Sequence, residues 1–203
     1  VEPSMACLIH GNLQLSQTCS NFDITNACLG FINGMEIIGL MIEAGLIKYG
    51  LVVSCEDSRD IVEQTIRRLQ APDVTKEVFY DNFATLTIGS GAVAMLLAHK
   101  DVSKSGHAIN GSVNLSATEY NRLCVAQTNY MKTDSRALLN AGAGLVLQTW
   151  QLASQVLAQW WGDEKTALYI PHQVSTKQIN AFAEFMGIDL NKVYLVLYTL
   201  GNM

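Results

Sequence analysis

An α/β layered fold with a mostly parallel sheet is what the sequence predicts, and three observations carry it. Apolar runs of strand length alternate along the 203 residues with longer segments at helical spacing. The composition, 49% hydrophobic and 15% charged, supplies enough apolar side chain for a large buried core. The run from Tyr49 to Cys55, with Ser54 its one polar aliphatic residue, reads as a buried strand of the parallel type.

Taken in order, Asn21 to Thr25 alternates like a short strand, and from Leu29 the pattern becomes helical and rich in glycine. Gly30, Gly34, Gly39 and Gly45 suit close approach of neighbouring backbones. The stretch from Phe31 to Ile47 is apolar on nearly every face, which predicts a buried core helix. Asn33, Glu36 and Glu43 interrupt it, so it is not read as a membrane span. Asp60 to Leu69 follows as a helix with Arg67 and Arg68 on a solvated face.

Phe83 to Ala98 reads as two strands broken at Gly89-Ser90-Gly91, and no Gly-Lys-Ser/Thr follows to make a phosphate loop. Ser112 to Thr133 reads as a long irregular connection suited to lining a pocket. Asp134 or Ser135 caps a helix running to about Trp161, with Leu138, Leu139, Leu145, Leu152 and Leu157 on its apolar side. Ala167 to Ile170 is a short strand ended by Pro171. Ser175-Thr176-Lys177-Gln178 has the spacing of a capping box, so a helix runs from Thr176 to about Met186 and leaves His172 in the loop before it. Val193 to Leu197 reads as a further strand.

Lys and Arg total 13 against 18 Asp and Glu, a formal charge of -5, and no basic cluster stands ready to neutralise a run of phosphates. Nucleic acid is therefore not an expected partner. The five cysteines are odd in number and lack the Cys-x-x-Cys pairing that zinc or a redox pair needs, so no metal is expected and a reducing cytoplasm fits. No signal-peptide pattern opens the sequence. It starts with Val1-Glu2-Pro3 and stops just after an apolar run, from which truncation at both ends is expected.

Cys28 lies where strand gives way to helix, where unpaired N–H groups and the helix dipole favour a thiolate. Position alone leaves a structural cysteine open as the alternative. Cys7, Cys19, Cys55 and Cys124 lack that context and are read as structural. His172 follows Pro171 in a loop at a strand end, a common place for a catalytic group, although a satisfied polar histidine fits as well. Asn202 after Gly201 reads on its own as a turn residue. His10, His99 and His107 show no pattern for metal binding or acid–base work.

The segment Phe22-Asp23-Ile24-Thr25-Asn26-Ala27-Cys28-Leu29-Gly30-Phe31 resembles the nucleophile segment of the ketoacyl-synthase III family. Gly89-Ser90-Gly91-Ala92-Val93-Ala94 is similar to that family's Gly-Asp-Gly-Ala-Gly-Ala strand, Pro171-His172-Gln173 to its histidine loop and Gly201-Asn202 to its asparagine loop. The resemblance implies a thiolase fold of two pseudo-symmetric halves. Residues 1–106 would be the end of the N-terminal half with the nucleophile, and residues 107–203 most of the C-terminal half with the histidine and asparagine loops. It also implies Cys28, His172 and Asn202 as catalytic residues, and a homodimer with the segment from Phe83 to Ala98 at the two-fold axis.

Two departures bear on the reaction. His172-Gln173-Val174-Ser175 stands in place of His-Gln-Ala-Asn, and Gly89-Ser90-Gly91 in place of Gly-Asp-Gly. With Thr25 to Phe31 and Ala117 to Cys124, the sequence is more similar to the head-to-head acyl-CoA condensing enzymes of bacterial olefin biosynthesis. That resemblance implies a non-decarboxylative Claisen condensation of two long-chain acyl-CoAs through an acyl-cysteine, giving a 2-alkyl-3-keto acid or thioester. No resident cofactor is implied, since coenzyme A or acyl-carrier protein arrives as substrate carrier. The base would be a glutamate from the part preceding the cysteine, and downstream lipid-pathway enzymes would be partners. The alternatives are a decarboxylating synthase III using a malonyl donor, a cysteine thioester hydrolase, and a non-catalytic thiolase-fold subunit.

Overall fold

The computed structural model describes residues 2–127 and 129–202. Two compact units divide the chain: one runs up to Ser54 and includes Ala94–Gly106, the other holds Cys55–Val93 and the chain from His107 onward.

In the first unit, helix α1 (Met5–Asn12) is capped by Ser4, whose Oγ accepts from the Cys7 N–H at 3.1 Å. The Asp23 carboxylate also accepts from the N–H groups of Met5 (3.0 Å) and Ala6 (2.7 Å), placing negative charge at the positive end of the helix dipole. The expected strand from Asn21 to Thr25 does not form a ladder, and its Asp23 side chain serves α1 instead.

Helix α2 (Gly30–Glu43) begins close to the predicted place, but it is not the buried core helix expected. Only Gly34 and Ile42 are buried, while Leu40 is 59% exposed. One face alone is covered: a β-carbon at Gly34 would lie 2.8 Å from Val52 Cγ1, so the absence of a side chain there lets α2 sit down on the following strand. That strand, β1 (Tyr49–Glu56), pairs with β2 (Gly91–Ala98) in a two-stranded sheet. Val52 is its buried residue and its other side chains stay accessible, so the expected burial on both faces is not met.

The second unit opens with α3 (Arg59–Leu69), where Glu63 pairs with Arg59 at 3.2 Å and Arg67 at 3.6 Å across exposed turns. Arg68, expected in solvent, turns inward instead. It donates to Thr65 Oγ1 (2.8 Å), Asn82 Oδ1 (3.4 Å) and the Asn129 carbonyl (3.1 Å), and stacks 5.1 Å from the Tyr130 ring centre. Thr65 is fully buried and Asn82 nearly so, so the guanidinium serves polar groups cut off from water.

The first of the two strands expected from Phe83 to Ala98 is helical. Helix α4 (Lys76–Phe83), capped by Thr75 Oγ1 accepting from Val78 N–H, runs into a 3₁₀ turn over Ala84–Thr87. Local bonds hold that turn: Thr87 Oγ1 donates to the Ala84 carbonyl at 2.8 Å. The stretch expected to be irregular from Ser112 to Thr133 contains an antiparallel hairpin, β3 (Cys124–Gln127) and β4 (Tyr130–Thr133), with Cys124 opposite Thr133. Within this stretch Tyr120 and Leu123 line a shallow, open depression of about 390 Å³ together with Ala137, Asn140 and Ala141.

Helix α5 (Ser135–Val156) is capped by Asp134, whose Oδ1 accepts from Ala137 N–H at 2.9 Å, and stops short of Trp161. Helix α6 (Thr176–Met186) starts at the predicted capping box, with Ser175 Oγ accepting from Gln178 N–H at 3.2 Å. Ile179, Ala183, Ile188 and Val193 form a core against which Trp150, Tyr169, Phe182 and Met186 pack. Trp150 lies edge-on to Trp161 at 4.5 Å and to Phe182 at 6.0 Å, locking α5 to α6. The strands expected at Ala167–Ile170 and Val193–Leu197 shrink to one parallel bridge between Tyr169 and Val193. Beyond it the chain enters a short helix, α7 (Leu197–Leu200).

Candidate active site

All five cysteines are exposed and none is in a disulfide, so exposure does not single out Cys28. The backbone does. Cys28 is the middle residue of a 3₁₀ turn, Ala27–Leu29, that feeds directly into α2, with the Leu29 N–H donating to the Asn26 carbonyl at 2.9 Å. Ala27 just before it has φ of +41°, a region that L residues other than Asn and Asp rarely enter. The leading N–H groups of a helix start have no partner within the helix, so the turn that carries Cys28 lies beside unpaired donors and the positive end of the α2 dipole. The Asn26 amide donates to Asn33 Oδ1 at 2.6 Å and braces the turn against the first turns of α2.

His172 and Asn202 belong to the second unit. His172 lies between the Tyr169 bridge and the Ser175 cap, so its loop is anchored on both sides by the Trp150 core. The Tyr169 end is further fixed by Asp163, which accepts from Lys192 Nζ at 2.9 Å and from the Tyr169 hydroxyl at 3.2 Å. The hydrogen bond from Lys192 holds the Asp163 carboxyl below the ordinary carboxylate range, and the same bond raises Lys192 above the usual ammonium range.

Asn202 is held by its main chain. Its N–H donates to the Thr87 carbonyl at 2.9 Å, its carbonyl accepts from Gly89 N–H at 2.8 Å, and Ile88 and Asn202 form a parallel bridge. These contacts leave the Asn202 side chain out of the anchoring. Gly201 makes the approach possible with φ of +80° and ψ of −164°. The receiving loop is braced in turn: Ser58 Oγ lies 3.0 Å from Ser90 Oγ and donates to the Ile88 carbonyl at 3.2 Å, while Ser58 N–H donates to Ser90 Oγ at 3.0 Å. Ser90 therefore has a bracing role in the position where the resembling family carries Asp.

One residue at the site was not singled out by its sequence pattern. Gln173, next to His172, is only 4% exposed and makes three side-chain hydrogen bonds to the chain around α7. A buried amide following an expected loop histidine was the available signal.

The fold that carries these three loops is the thiolase fold. Residues 22–117 match the family of 3-oxoacyl-[acyl-carrier-protein (ACP)] synthase III. Over all of its length the chain is 42% identical to the acyl-CoA:acyl-CoA alkyltransferase of Xanthomonas campestris pv. campestris, and 37% identical to the protein of the same name from Shewanella oneidensis. It is 26% identical, over 98% of its length, to a beta-ketoacyl-[acyl-carrier-protein] synthase III of Histophilus somni. All of the chain superposes on 60% of a Xanthomonas campestris OleA variant with bound lauric acid and lauroyl-CoA, with a TM-score of 0.96 and 41% identity. Cerulenin-bound OleA gives the same TM-score at 42% identity and 58% coverage of that chain. The chain spans about three fifths of the length of the curated relatives it matches. The resemblance read from the cysteine, histidine and asparagine segments thus extends along the whole chain.

Proposed function

We propose that the protein joins two long-chain acyl-CoA molecules head to head, with Cys28 as nucleophile and His172 and Asn202 as neutral hydrogen-bond donors. The single observation that carries this reading is the 42% identity along the entire chain to an acyl-CoA:acyl-CoA alkyltransferase, against 26% to the synthase III relative. The backbone at Ala27, Gly201 and Ser90 supports it, since each of the matching motifs has its own bracing.

In the first half of the reaction the Cys28 sulfur attacks the acyl carbonyl, the tetrahedral oxyanion collapses, and coenzyme A leaves as thiolate. N–H groups at the start of α2 stabilise the oxyanion. In the second half a base removes an α-proton from the second acyl-CoA, and the negative charge moves onto its thioester oxygen. His172 Nε2–H and the Asn202 amide N–H donate to that oxygen. The α-carbon attacks the acyl-cysteine carbonyl, the Cys28 thiolate departs, and a 2-alkyl-3-ketoacyl thioester is formed; water releases the acid from it. The enzyme works as a homodimer in the cytoplasm, with coenzyme A or acyl-carrier protein as substrate carrier and no resident cofactor. Enzymes that consume the β-keto product are its partners in lipid biosynthesis. Among the described residues no helix is long and apolar enough to cross a membrane.

The test gives the full-length protein myristoyl-CoA alone and follows the mass of the intact enzyme, coenzyme A release and the organic product. The expected outcome is one acyl mass on Cys28, lost in Cys28→Ala, and a condensed β-keto product. Free fatty acid as the sole product would support a hydrolase. The family match over residues 22–117 favours a second reading, decarboxylative condensation, and product formed only with a malonyl donor would establish it.

A further inference from the structure

Gln173 occupies a position that links the two donor loops. Its Oε1 accepts from Val196 N–H at 2.9 Å and from Leu197 N–H at 3.0 Å, and its Nε2 donates to the Tyr194 carbonyl at 2.6 Å. Val196 and Leu197 are the cap and first residue of α7, whose leading N–H groups have no partner within the helix. The Gln173 amide thus caps α7 from another part of the chain. At the far end of α7 the chain turns at Gly201 and delivers Asn202 to Thr87 and Gly89. Between His172 and Asn202 there is consequently one residue of main chain, one side-chain amide held by three hydrogen bonds, a single helical turn and a glycine corner. The Oε1 has both lone pairs occupied and the side chain is buried, so it has no second low-energy place to go.

We propose that Gln173 is a positioning residue: its side-chain amide sets the distance between the His172 and Asn202 donors, so that both reach one oxyanion. The proposal rests on the roles assigned to His172 and Asn202 under Proposed function. A shift of about 1 Å in a donor is enough to cost two orders of magnitude in rate. The acylation of Cys28 relies on the α2 start and the condensation on the donor pair, so loss of the Gln173 contacts separates the two half-reactions.

The experiment uses the full-length enzyme and three variants, Gln173→Leu, Gln173→Glu and Gln173→Met, each checked for folding by circular dichroism. Two rates are measured: single-turnover acyl transfer from myristoyl-CoA to Cys28 by intact mass, and steady-state condensation. For Gln173→Leu and Gln173→Met, acyl transfer is expected within about threefold of wild type and kcat for condensation about 10²-fold lower, the scale of losing an oxyanion donor. Gln173→Glu keeps the acceptor for Val196 and Leu197 but sets an anionic oxygen against the Tyr194 carbonyl at neutral pH. Once protonated it donates there as the amide does, so its condensation rate should recover as pH falls while wild type shows no such recovery. Folded variants that condense within threefold of wild type would overturn the proposal. So would parallel loss of both half-reactions with no acid recovery in Gln173→Glu, which is the signature of a merely structural residue. If wild type itself places no acyl group on Cys28, the functional reading fails first, and that failure is visible before any Gln173 variant is compared.

Discussion

Gly201 and Gly89 touch main chain to main chain: a β-carbon built on Gly201 would lie 3.0 Å from the Gly89 α-carbon and 3.2 Å from its nitrogen. Backbone cannot swing aside as a flexible side chain can. Gly201 also has φ of +80° with ψ of −164°, a combination open essentially to glycine alone. Gly201→Ala is therefore expected to cost about 1–3 kcal/mol from conformation, with the clash added to it. Urea unfolding measures the loss, and if the proposed function holds, condensation should fall further than Cys28 acylation because Asn202 is displaced. An alanine variant with unchanged midpoint and rate would refute this account of the asparagine corner.

The turn that carries Cys28 gives a prediction of opposite sign. Ala27 holds φ of +41°, and left-handed backbone costs an L residue about 1–2 kcal/mol while glycine enters it freely. Against glycine's extra unfolded-state entropy of about 0.5–1 kcal/mol, Ala27→Gly should be neutral to stabilising by up to about 1.5 kcal/mol. Ala27→Val, with a branched β-carbon, should destabilise by about 1 kcal/mol or more. The pair of unfolding midpoints decides the matter, since an ordinary helix-start position would rank the variants without a gain for glycine.

Arg68 joins α3, α4 and the β3–β4 hairpin through three hydrogen bonds and the Tyr130 ring. Removing it leaves the Thr65 hydroxyl, at 0% exposure, without its charged donor. Arg68→Ala is expected to cost about 2 kcal/mol, within the range for hydrogen bonds to a charged group. Arg68→Lys should recover less than half, because a single ammonium cannot reproduce the planar fork. Denaturant titrations of both variants test it, and a fully stable lysine variant would show the fork to be dispensable.

Acid should expose the contribution of Asp163. Lys192 lowers its carboxyl in the folded protein, so the stabilisation is complete above the unfolded carboxyl value of about 3.9 and is lost as pH falls through the lower folded value. The difference in melting temperature between wild type and Asp163→Asn should hold steady down to about pH 4 and shrink below it. A difference that stays constant to pH 2 would show that the pair does not report on folding.

Local signals made part of this architecture readable. The cap at Ser175 gave the bounds of α6, and Asp134 gave the start of α5, because both depend on side chains bonding to N–H groups two or three residues away. Where distant groups decide, the reading failed. Val193 to Leu197 has strand composition, yet the N–H groups of Val196 and Leu197 go to the Gln173 side chain rather than to a neighbouring strand. Phe83 to Ile88 likewise has β-favouring residues, but Thr75 starts a helix upstream and Thr87 closes the 3₁₀ turn through its own hydroxyl. Helical spacing puts the Arg68 side chain in solvent because it cannot reveal a hairpin whose Asn129 carbonyl reaches it from 61 residues further on. At the candidate site Cys28, His172 and Asn202 are legible from the motifs, whereas the Ser58–Ser90 brace and the Gln173 clamp join residues 32 and 21 or more positions apart, which no local pattern reveals.

The bridge from Ile88 to Asn202 also bears on the order of events in folding. It joins points separated by more than half of the chain, so closing it carries a loop entropy that grows with the logarithm of that separation. Helices α5 and α6, built from neighbours in sequence, are not delayed in this way. The asparagine corner is therefore expected to dock after the tryptophan core has formed, and amide hydrogen exchange at Gly89 and Asn202 should remain fast during refolding after Ala183 is already protected.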